Sequence, residues 1–132
     1  MIAMACSCTK LEDVQNSIII TSCNLSAPNI VGGCDASIGI KNISSKTIKY
    51  IDFTINFYNA VGDRVRCEVR NRLSFWGKAT GPLAPNEANT YKWDCPIYNK
   101  SARTIGISYV EITYMDDSVL VIDEKFIKYL YQ

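Results

Sequence analysis

The segment from Ile51 to Val65 alternates apolar and polar residues and then breaks into a turn. Because successive side chains of a strand point to opposite faces, its apolar residues share one side: Ile51, Phe53, Ile55 and Phe57. The turn, Asn59 to Asp63, contains the Asn, Gly and Asp that are typical of tight turns, and Val65 then resumes the apolar side. This pattern predicts a β-hairpin with one buried face.

Similar but shorter alternation occurs on both sides of the hairpin. Strands are predicted at 17–23, 34–41, 47–58, 64–70, 87–95, 104–114 and 118–122, with turn residues between them. Residues 71–86 are less regular, and Pro82 and Pro85 exclude a central strand there. Short strands without a helical rhythm predict an all-β fold, an immunoglobulin-like antiparallel β-sandwich of about seven strands. A small β-barrel is the alternative architecture.

The two ends of the chain are less regular than the strands. Residues 1–16 are interpreted as a leader or tether, and residues 17–132 as one β-sandwich domain. For residues 123–132 two structures stay open: a short helix with Phe126, Ile127 and Leu130 on one face, or a strand.

The first eight residues, MIAMACSC, place small residues before two cysteines, and a polar, acidic stretch follows. This run resembles the end of a bacterial lipoprotein signal, which implies a lipid on Cys8, or on Cys6, and an extracytoplasmic protein at the cell surface or in the periplasm. The apolar stretch is shorter than a complete signal requires, and no positively charged region precedes it. A frayed apolar tail with two incidental cysteines is the alternative.

Charge and composition exclude several classes of function. With 14 basic and 13 acidic residues the formal net charge is +1, so no overall field attracts nucleic acid or an anionic membrane. The chain has no histidine, which excludes Ser-His-Asp and Cys-His catalysis and histidine metal sites. No paired catalytic motif is present, and we expect no enzyme activity and no cofactor. Contact with a membrane is expected only through a lipid anchor.

Four cysteines lie within the predicted domain: Cys23, Cys34, Cys67 and Cys95. None belongs to a C-x-x-C pair, so a metal site is not expected. In an exported protein these cysteines can form disulfides, and Cys23 with Cys34 is the first pair to test because they close the first predicted hairpin. By strand parity Cys67 and Cys95 face inward, Cys67 together with Val65 and Val69. Buried free thiols are the alternative for each.

Several motifs occur in a recognisable order: the run Lys46 to Phe53, the Tyr58 to Asp63 turn, Gly81-Pro82-Leu83, Tyr91-x-Trp93 and Tyr114-Met115-Asp116. Over about residues 34–122 they resemble a bacterial extracytoplasmic domain family of unknown function that is similar to the FxLYD immunoglobulin-like group. Asp117 stands where that pattern has a glycine. The resemblance implies a fold and an exported setting, but no activity.

Basic and aromatic residues cluster after the hairpin turn. Arginines and an aromatic ring can contact a sugar or an anion. The predicted ligand-binding residues are Arg64, Arg66, Arg70, Arg72 and Trp76. A charged solvent face of an edge strand is the alternative explanation. Tyr98 and Tyr109 are further candidates for a stacking surface, whereas Trp93 belongs to the core by parity.

Three aspartates in predicted turns are candidate calcium ligands. Asp63, Asp116 and Asp117 would offer oxygen ligands to Ca²⁺ if their turns lay at one end of the sandwich. Because aspartate is common in turns for its local hydrogen bonds, we expect no metal.

The sequence is therefore compatible with three functions. The first is a non-catalytic extracytoplasmic module for binding or spacing, whose partner is a cell-surface protein or a glycan. The second is a glycan- or peptide-binding module that uses Trp76 and the strand from Arg64 to Arg72. The third is a carboxylate-based hydrolase.

Overall fold

The apolar face of the predicted hairpin lies in the core of a computed structural model that describes residues 9–131. Its inward side chains are at most 1% exposed: Ile51, Phe53, Ile55 and Phe57. The outward residues between them, Asp52 and Thr54, are half-exposed. Alternation thus produces a strand with one buried face.

Eight strands make up the described structure. They are β1 (Ile18–Leu25), β2 (Gly33–Asn42), β3 (Ile48–Tyr58), β4 (Arg64–Val65), β5 (Ser74–Leu83), β6 (Ala88–Tyr98), β7 (Thr104–Tyr114) and β8 (Val119–Ile122). Short helices α1 (Leu11–Gln15) and α2 (Glu124–Ile127) flank them, and a 3₁₀ turn at Lys128–Leu130 follows α2. The helical alternative for the last residues is therefore confirmed, with Ile127 and Leu130 buried and Phe126 partly buried.

The strands form two antiparallel sheets. One sheet has the order β1-β2-β6, and in the five-stranded sheet β3 is flanked by β7 and β8 on one side and by β4 and β5 on the other. The pairings β2 with β6 and β3 with β7 join strands that are distant in sequence. Leaving out the two-residue β4, these are the second-with-fifth and third-with-sixth pairings of an immunoglobulin-like sandwich. The predicted fold class is confirmed.

The two sides of the sandwich differ. On the side of β1 and β8, Tyr131 forms a bridge with Ile20, and Val14 of α1 is fully buried. The Thr9 hydroxyl donates a hydrogen bond to the Val121 carbonyl (2.6 Å), so residues 9–16 of the predicted leader pack onto the sandwich. On the other side, β5 pairs only with β3 and β6 only with β2 among the described strands.

The strand predicted at 64–70 is wrong beyond Val65. After β4 the chain turns back on itself, because the Cys67 amide bonds to the Arg72 carbonyl (2.8 Å) and Asn71 takes a left-handed φ of 55°. Cys67 is buried, but Val69 is 71% exposed, so Val69 does not continue the inward face. We call residues 66–73 the arginine loop.

Candidate functional site

The outer face of the five-stranded sheet carries the most exposed tryptophan of the described chain. Trp76 on β5 is 68% exposed. It lies opposite Thr54 on β3, and Thr54 lies opposite Tyr109 on β7. Since neighbouring strands are about 4.8 Å apart, the Cα atoms of Trp76 and Tyr109 are roughly 9.5 Å apart, with Thr54 between them. Two aromatic side chains thus flank Thr54 on this face.

The next row of this face is charged. Asp52 lies between Lys78 and Glu111 in the strand register, and the Lys78 ammonium is 3.8 Å from the Asp52 carboxylate. The Tyr109 hydroxyl donates a hydrogen bond to Glu111 (2.9 Å). Beyond this row, Tyr50 lies between Thr80 and Thr113, with the Lys78 ammonium 4.6 Å from its ring centroid. We call the set Asp52, Thr54, Trp76, Lys78, Tyr109 and Glu111 the tryptophan face.

The phenol of Tyr109 is held in its protonated form. Desolvation, the hydrogen bond to Glu111 and the negative charge of that carboxylate raise the pKa of Tyr109 to about 12. The charges of Asp123 and Asp52 act in the same direction. Tyr109 is therefore a neutral donor and ring at physiological pH.

Trp76 and Gly77, adjacent on β5, face opposite sides of the sheet. Gly77 is buried and faces the core side of β5. A Cβ atom added to Gly77 would lie 2.8 Å from Cε2 of Trp93. The Trp93 ring in turn packs edge-on against Phe53, with ring centroids 5.8 Å apart. Trp93 thus fills the core next to Gly77, while Trp76, the residue before Gly77, faces solvent.

The predicted arginines do not share one strand face. Arg64 lies against the outer face, where its Nη2 donates to the side chains of Asn56 (2.9 Å) and Ser74 (3.2 Å) and to the Leu73 carbonyl (3.1 Å). The Arg72 guanidinium is 5.8 Å from the Trp76 ring centroid. The structure therefore brings Arg64, Arg72 and Trp76 together at one corner of the tryptophan face.

The other two arginines point elsewhere. Arg66 donates to the Asn71 carbonyl (3.1 Å) inside the arginine loop. Arg70 donates to the Cys95 carbonyl (3.2 Å) and lies 5.6 Å from the Tyr98 ring centroid, at the edge of the other sheet. The four arginines were expected along one strand. Because the loop turns at Cys67, only Arg64 and Arg72 lie near Trp76.

The cysteines of the described chain are free thiols. Cys23 lies opposite Ile38, four residues from Cys34, so their Cα atoms are roughly 13 Å apart at about 3.4 Å per residue. A disulfide requires less than about 7 Å, and the proposed Cys23–Cys34 pair is therefore not formed. Cys6 and Cys8 lie outside the described residues.

Cys67 anchors the arginine loop to β6. Its thiol accepts hydrogen bonds from the Tyr98 amide (3.4 Å) and from the Arg70 guanidinium (3.8 Å). Burial would raise the pKa of the Cys67 thiol, but bonds from the backbone of Arg70, Tyr98 and Val69 and from the Arg70 side chain lower it. Cys95, expected to face inward, instead occupies a bulge opposite Asp35 with a φ of 49°.

Acidic residues in the turns do not converge. The turn at 59–63 follows the end of β3 at Tyr58, whereas the turn at 115–118 lies beside Ile48, at the other end of the same strand. Asp63, Asp116 and Asp117 therefore do not meet at one end of the sandwich, and their turns cannot share a calcium ion. Asp116 and Asp117 instead pair with Lys46 (3.1 Å) and Lys49 (3.3 Å). Across residues 9–131, no three metal-ligating side chains are grouped to hold an ion.

Sequence reasoning missed a polar groove of about 590 Å³ at the α1 end of the sandwich. Asp13, Ser44, Lys46, Tyr114 and Ser118 are among its lining residues. They come from α1, the β2–β3 loop, β7 and the β7–β8 turn, so no local pattern in the sequence marks the groove. Lys46 is occupied within it, since it contacts Asp116, Ser118 and the Tyr114 ring.

Comparison with known proteins informs the fold alone. No protein-family model and no curated protein matches the chain. Among solved structures it is similar to IrmA from Escherichia coli, with a TM-score of 0.57, 8% sequence identity, and coverage of 88% of this chain and 89% of that chain. A bacterial protein thus has a similar β-rich fold, while the FxLYD resemblance and the lipoprotein signal stay predictions. None of the helices in residues 9–131 is long and apolar enough to span a membrane.

Proposed function

We propose that the protein is a non-catalytic extracytoplasmic module that binds a glycan on the tryptophan face. The observation that carries this proposal is the exposure of Trp76, 68%, on a sheet face that also carries Tyr109, with Thr54 between the two. Covering a large exposed aromatic ring is favourable, so Trp76 offers a stacking surface to a ligand.

The surroundings of the ring favour a sugar over an apolar ligand. Hydroxyl, carboxylate and ammonium groups of Thr54, Asp52, Glu111 and Lys78 lie within two rows of Trp76. A sugar ring presents a C–H face that stacks on an aromatic ring and hydroxyls that exchange hydrogen bonds with such groups.

Hydrolysis by the carboxylates is the less favoured interpretation. Asp52 and Glu111 are cross-strand neighbours, which places two carboxylates side by side as a glycosidase requires. Both lie on an open sheet face, where water screens them and nothing encloses a substrate. Binding without turnover suits this surface better.

A peptide is the second candidate ligand, because β5 has a free edge beside Trp76. An extended peptide would add to β5 as a further strand and place a side chain against Trp76. Lys78 and Pro82 on β5 oppose such pairing, since charged residues and proline are typical of edges protected against added strands.

The binding proposal is tested with an oligosaccharide array and a peptide library, followed by calorimetry on the best ligands. We expect Trp76→Ala to lower affinity for an oligosaccharide about tenfold or more, because a stacking ring is lost. Tyr129→Ala is the matched control, since Tyr129 is an exposed aromatic residue outside this face (41%). Equal losses in both variants, or no ligand on either library, would refute the proposal. Products released from the bound oligosaccharide would favour the hydrolase.

The extracytoplasmic setting is supported by the MIAMACSC run at the amino terminus. Fractionation of cells that express the full gene, with Cys8→Ala and Cys6→Ala variants, tests it. We expect an acylated protein in the membrane fraction and loss of acylation in one of the two variants. An unacylated cytosolic protein would contradict this part of the proposal.

A further inference from the structure

We propose that the glycan carries an acidic group and that Arg64 and Arg72 form the subsite for that anion beside Trp76. This inference rests on the proposed function and names its ligand class. It depends on the positions of the two guanidinium groups, on the donors they leave free and on the rigidity of the loop that carries Arg72.

Arg64 is a fixed guanidinium with unused donors. Its three protein hydrogen bonds, to Asn56, Leu73 and Ser74, all come from Nη2. Ser74 in turn donates to Asn56 (2.6 Å), which holds this small network in place. Among residues 9–131, nothing accepts a hydrogen bond from Nη1 or Nε of Arg64. An arginine has five N–H donors, so the three N–H groups on Nη1 and Nε remain free to donate singly to an anion.

Arg72 supplies a second cation at the same corner. Its guanidinium is 5.8 Å from the Trp76 ring centroid, and within the described chain its side chain has no carboxylate partner. The acidic groups of the face are engaged elsewhere: Asp52 with Lys78 (3.8 Å) and Glu111 with the Tyr109 hydroxyl (2.9 Å). The corner around Trp76 is therefore positive, although the whole chain has a formal net charge of only +1.

Hydrogen bonds in the arginine loop hold the backbone of Arg72 in position before any ligand binds. The Cys67 amide bonds to the Arg72 carbonyl (2.8 Å), and the Glu68 amide bonds to the Tyr98 carbonyl of β6 (2.9 Å). The Asn99 side chain donates to the Arg66 carbonyl (2.9 Å). A loop tied at three points loses little conformational entropy on binding, which raises the affinity of a preformed charged site.

A sugar ring on Trp76 would place an acidic substituent at Arg64 and Arg72. The planar guanidinium matches carboxylate and sulfate geometry, so uronate and sulfated sugars share the required chemistry. Two matched pairs of probes separate these sources: an oligogalacturonate with its full methyl ester, and a chondroitin sulfate oligosaccharide with its desulfated form.

The test is calorimetry with these four probes on the wild type and four variants, namely Trp76→Ala, Arg72→Gln, Arg72→Lys and Lys41→Gln. We expect the charged member of one pair to bind about tenfold more tightly than its uncharged partner, and Arg72→Gln to remove this preference. Arg72→Lys keeps the charge without the fork and should restore part of it. Lys41→Gln, an equal loss of charge on the other sheet, should leave the preference intact. Unfolding midpoints of all variants show that the fold is retained.

The measurements distinguish failure of the anion subsite from failure of glycan binding. If charged and uncharged members bind equally and Trp76→Ala abolishes binding, the proposed function holds and the acidic ligand is wrong. A preference for the charged member that survives Arg72→Gln also overturns the anion subsite. If none of the four probes binds, this inference is refuted, while the array of neutral oligosaccharides still decides the proposed function.

Discussion

Asn42, at the end of β2, is a buried polar residue whose loss should destabilise the fold. Its side chain is fully buried and makes four hydrogen bonds. Its amide group donates to the carbonyls of Lys46 (2.8 Å) and Leu83 (2.9 Å), and its oxygen accepts from the Ser44 amide (3.0 Å) and hydroxyl (2.7 Å). One side chain thus joins β2, the β2–β3 loop and the end of β5.

The magnitude for Asn42→Ala follows from which partners keep other bonds. The Lys46 carbonyl still accepts from the Ser44 hydroxyl (3.0 Å), whereas no other side chain in residues 9–131 replaces Asn42 as partner of the Leu83 carbonyl or of the Ser44 amide. A buried polar group left without its partner costs about 1–3 kcal/mol. Because the Ser44 amide is only partly buried, we expect a total loss of about 2–3 kcal/mol.

Urea unfolding followed by tryptophan fluorescence measures this loss, because Trp93 packs against Phe53 in the core. With a slope of about 1–3 kcal/mol per molar, the midpoint should fall by roughly 0.7–3 M. The control is Asn24→Ala, an exposed position on β1 that should change stability by less than about 0.5 kcal/mol. An Asn42→Ala midpoint equal to that of the control would refute the reasoning.

A nearly isosteric change at the same position separates hydrogen bonding from packing. Asn42→Asp keeps the side-chain volume but turns an oxygen toward the carbonyls of Lys46 and Leu83. Burial and these carbonyls raise the pKa of the new carboxyl in the folded state, so stability is lost as the pH rises through that pKa. Asn42→Asp should therefore be less stable at neutral than at mildly acidic pH. A pH-independent difference from the wild type would contradict this.

Three further predictions concern single positions. Gly77→Ala should destabilise the protein by about 1–3 kcal/mol, measured by urea unfolding, because the added Cβ would lie 2.8 Å from the Trp93 ring; an unchanged midpoint would show that the ring moves freely. Glu111→Gln should lower the pKa of Tyr109 from about 12 toward its ordinary value near 10, as followed by NMR of the phenol ring. Because the pKa of Tyr109 is higher in the folded state than in the unfolded state, the wild type loses stability as the pH rises from about 10 to 12. The Glu111→Gln variant should therefore be less sensitive to alkaline unfolding in that range. An unshifted titration of Tyr109 would refute the role of Glu111. Asp117→Gly should stabilise the protein by about 0.5 kcal/mol in thermal unfolding, because Asp117 has a φ of 68°; a lower midpoint would show that its exposed pairing with Lys49 outweighs the strain.

The strands were predictable where alternation and turn residues agree. β3 and β7 begin and end within one residue of their predicted bounds, and Asn59 to Asp63 forms the expected turn. The segment 64–70 alternates equally well but forms a loop after Val65. Alternation reports which side chains can share a face, but it does not report whether a partner strand is available to pair with the backbone.

The residues of the candidate site were predictable only in part. Trp76 is exposed, in line with its position in an irregular stretch, although that stretch proves to be the edge strand β5. Arg64 and Arg72 meet at Trp76, whereas Arg66 and Arg70 do not, because the loop reverses at Cys67. The contribution of Thr54 and Glu111 follows from the β3–β7 register, which joins residues more than 50 positions apart.

The sequence by itself determined the class of fold, the buried face of β3 and the absence of histidine chemistry, because these depend on residue type and local period. The tertiary structure alone decided which arginines flank Trp76, that Asp63 lies far from Asp116, and that Cys23 and Cys34 do not meet. These outcomes depend on strand register and on the path of one loop. Both are set by long-range hydrogen bonds such as the one from the Glu68 amide to the Tyr98 carbonyl, which no local pattern in the chain encodes.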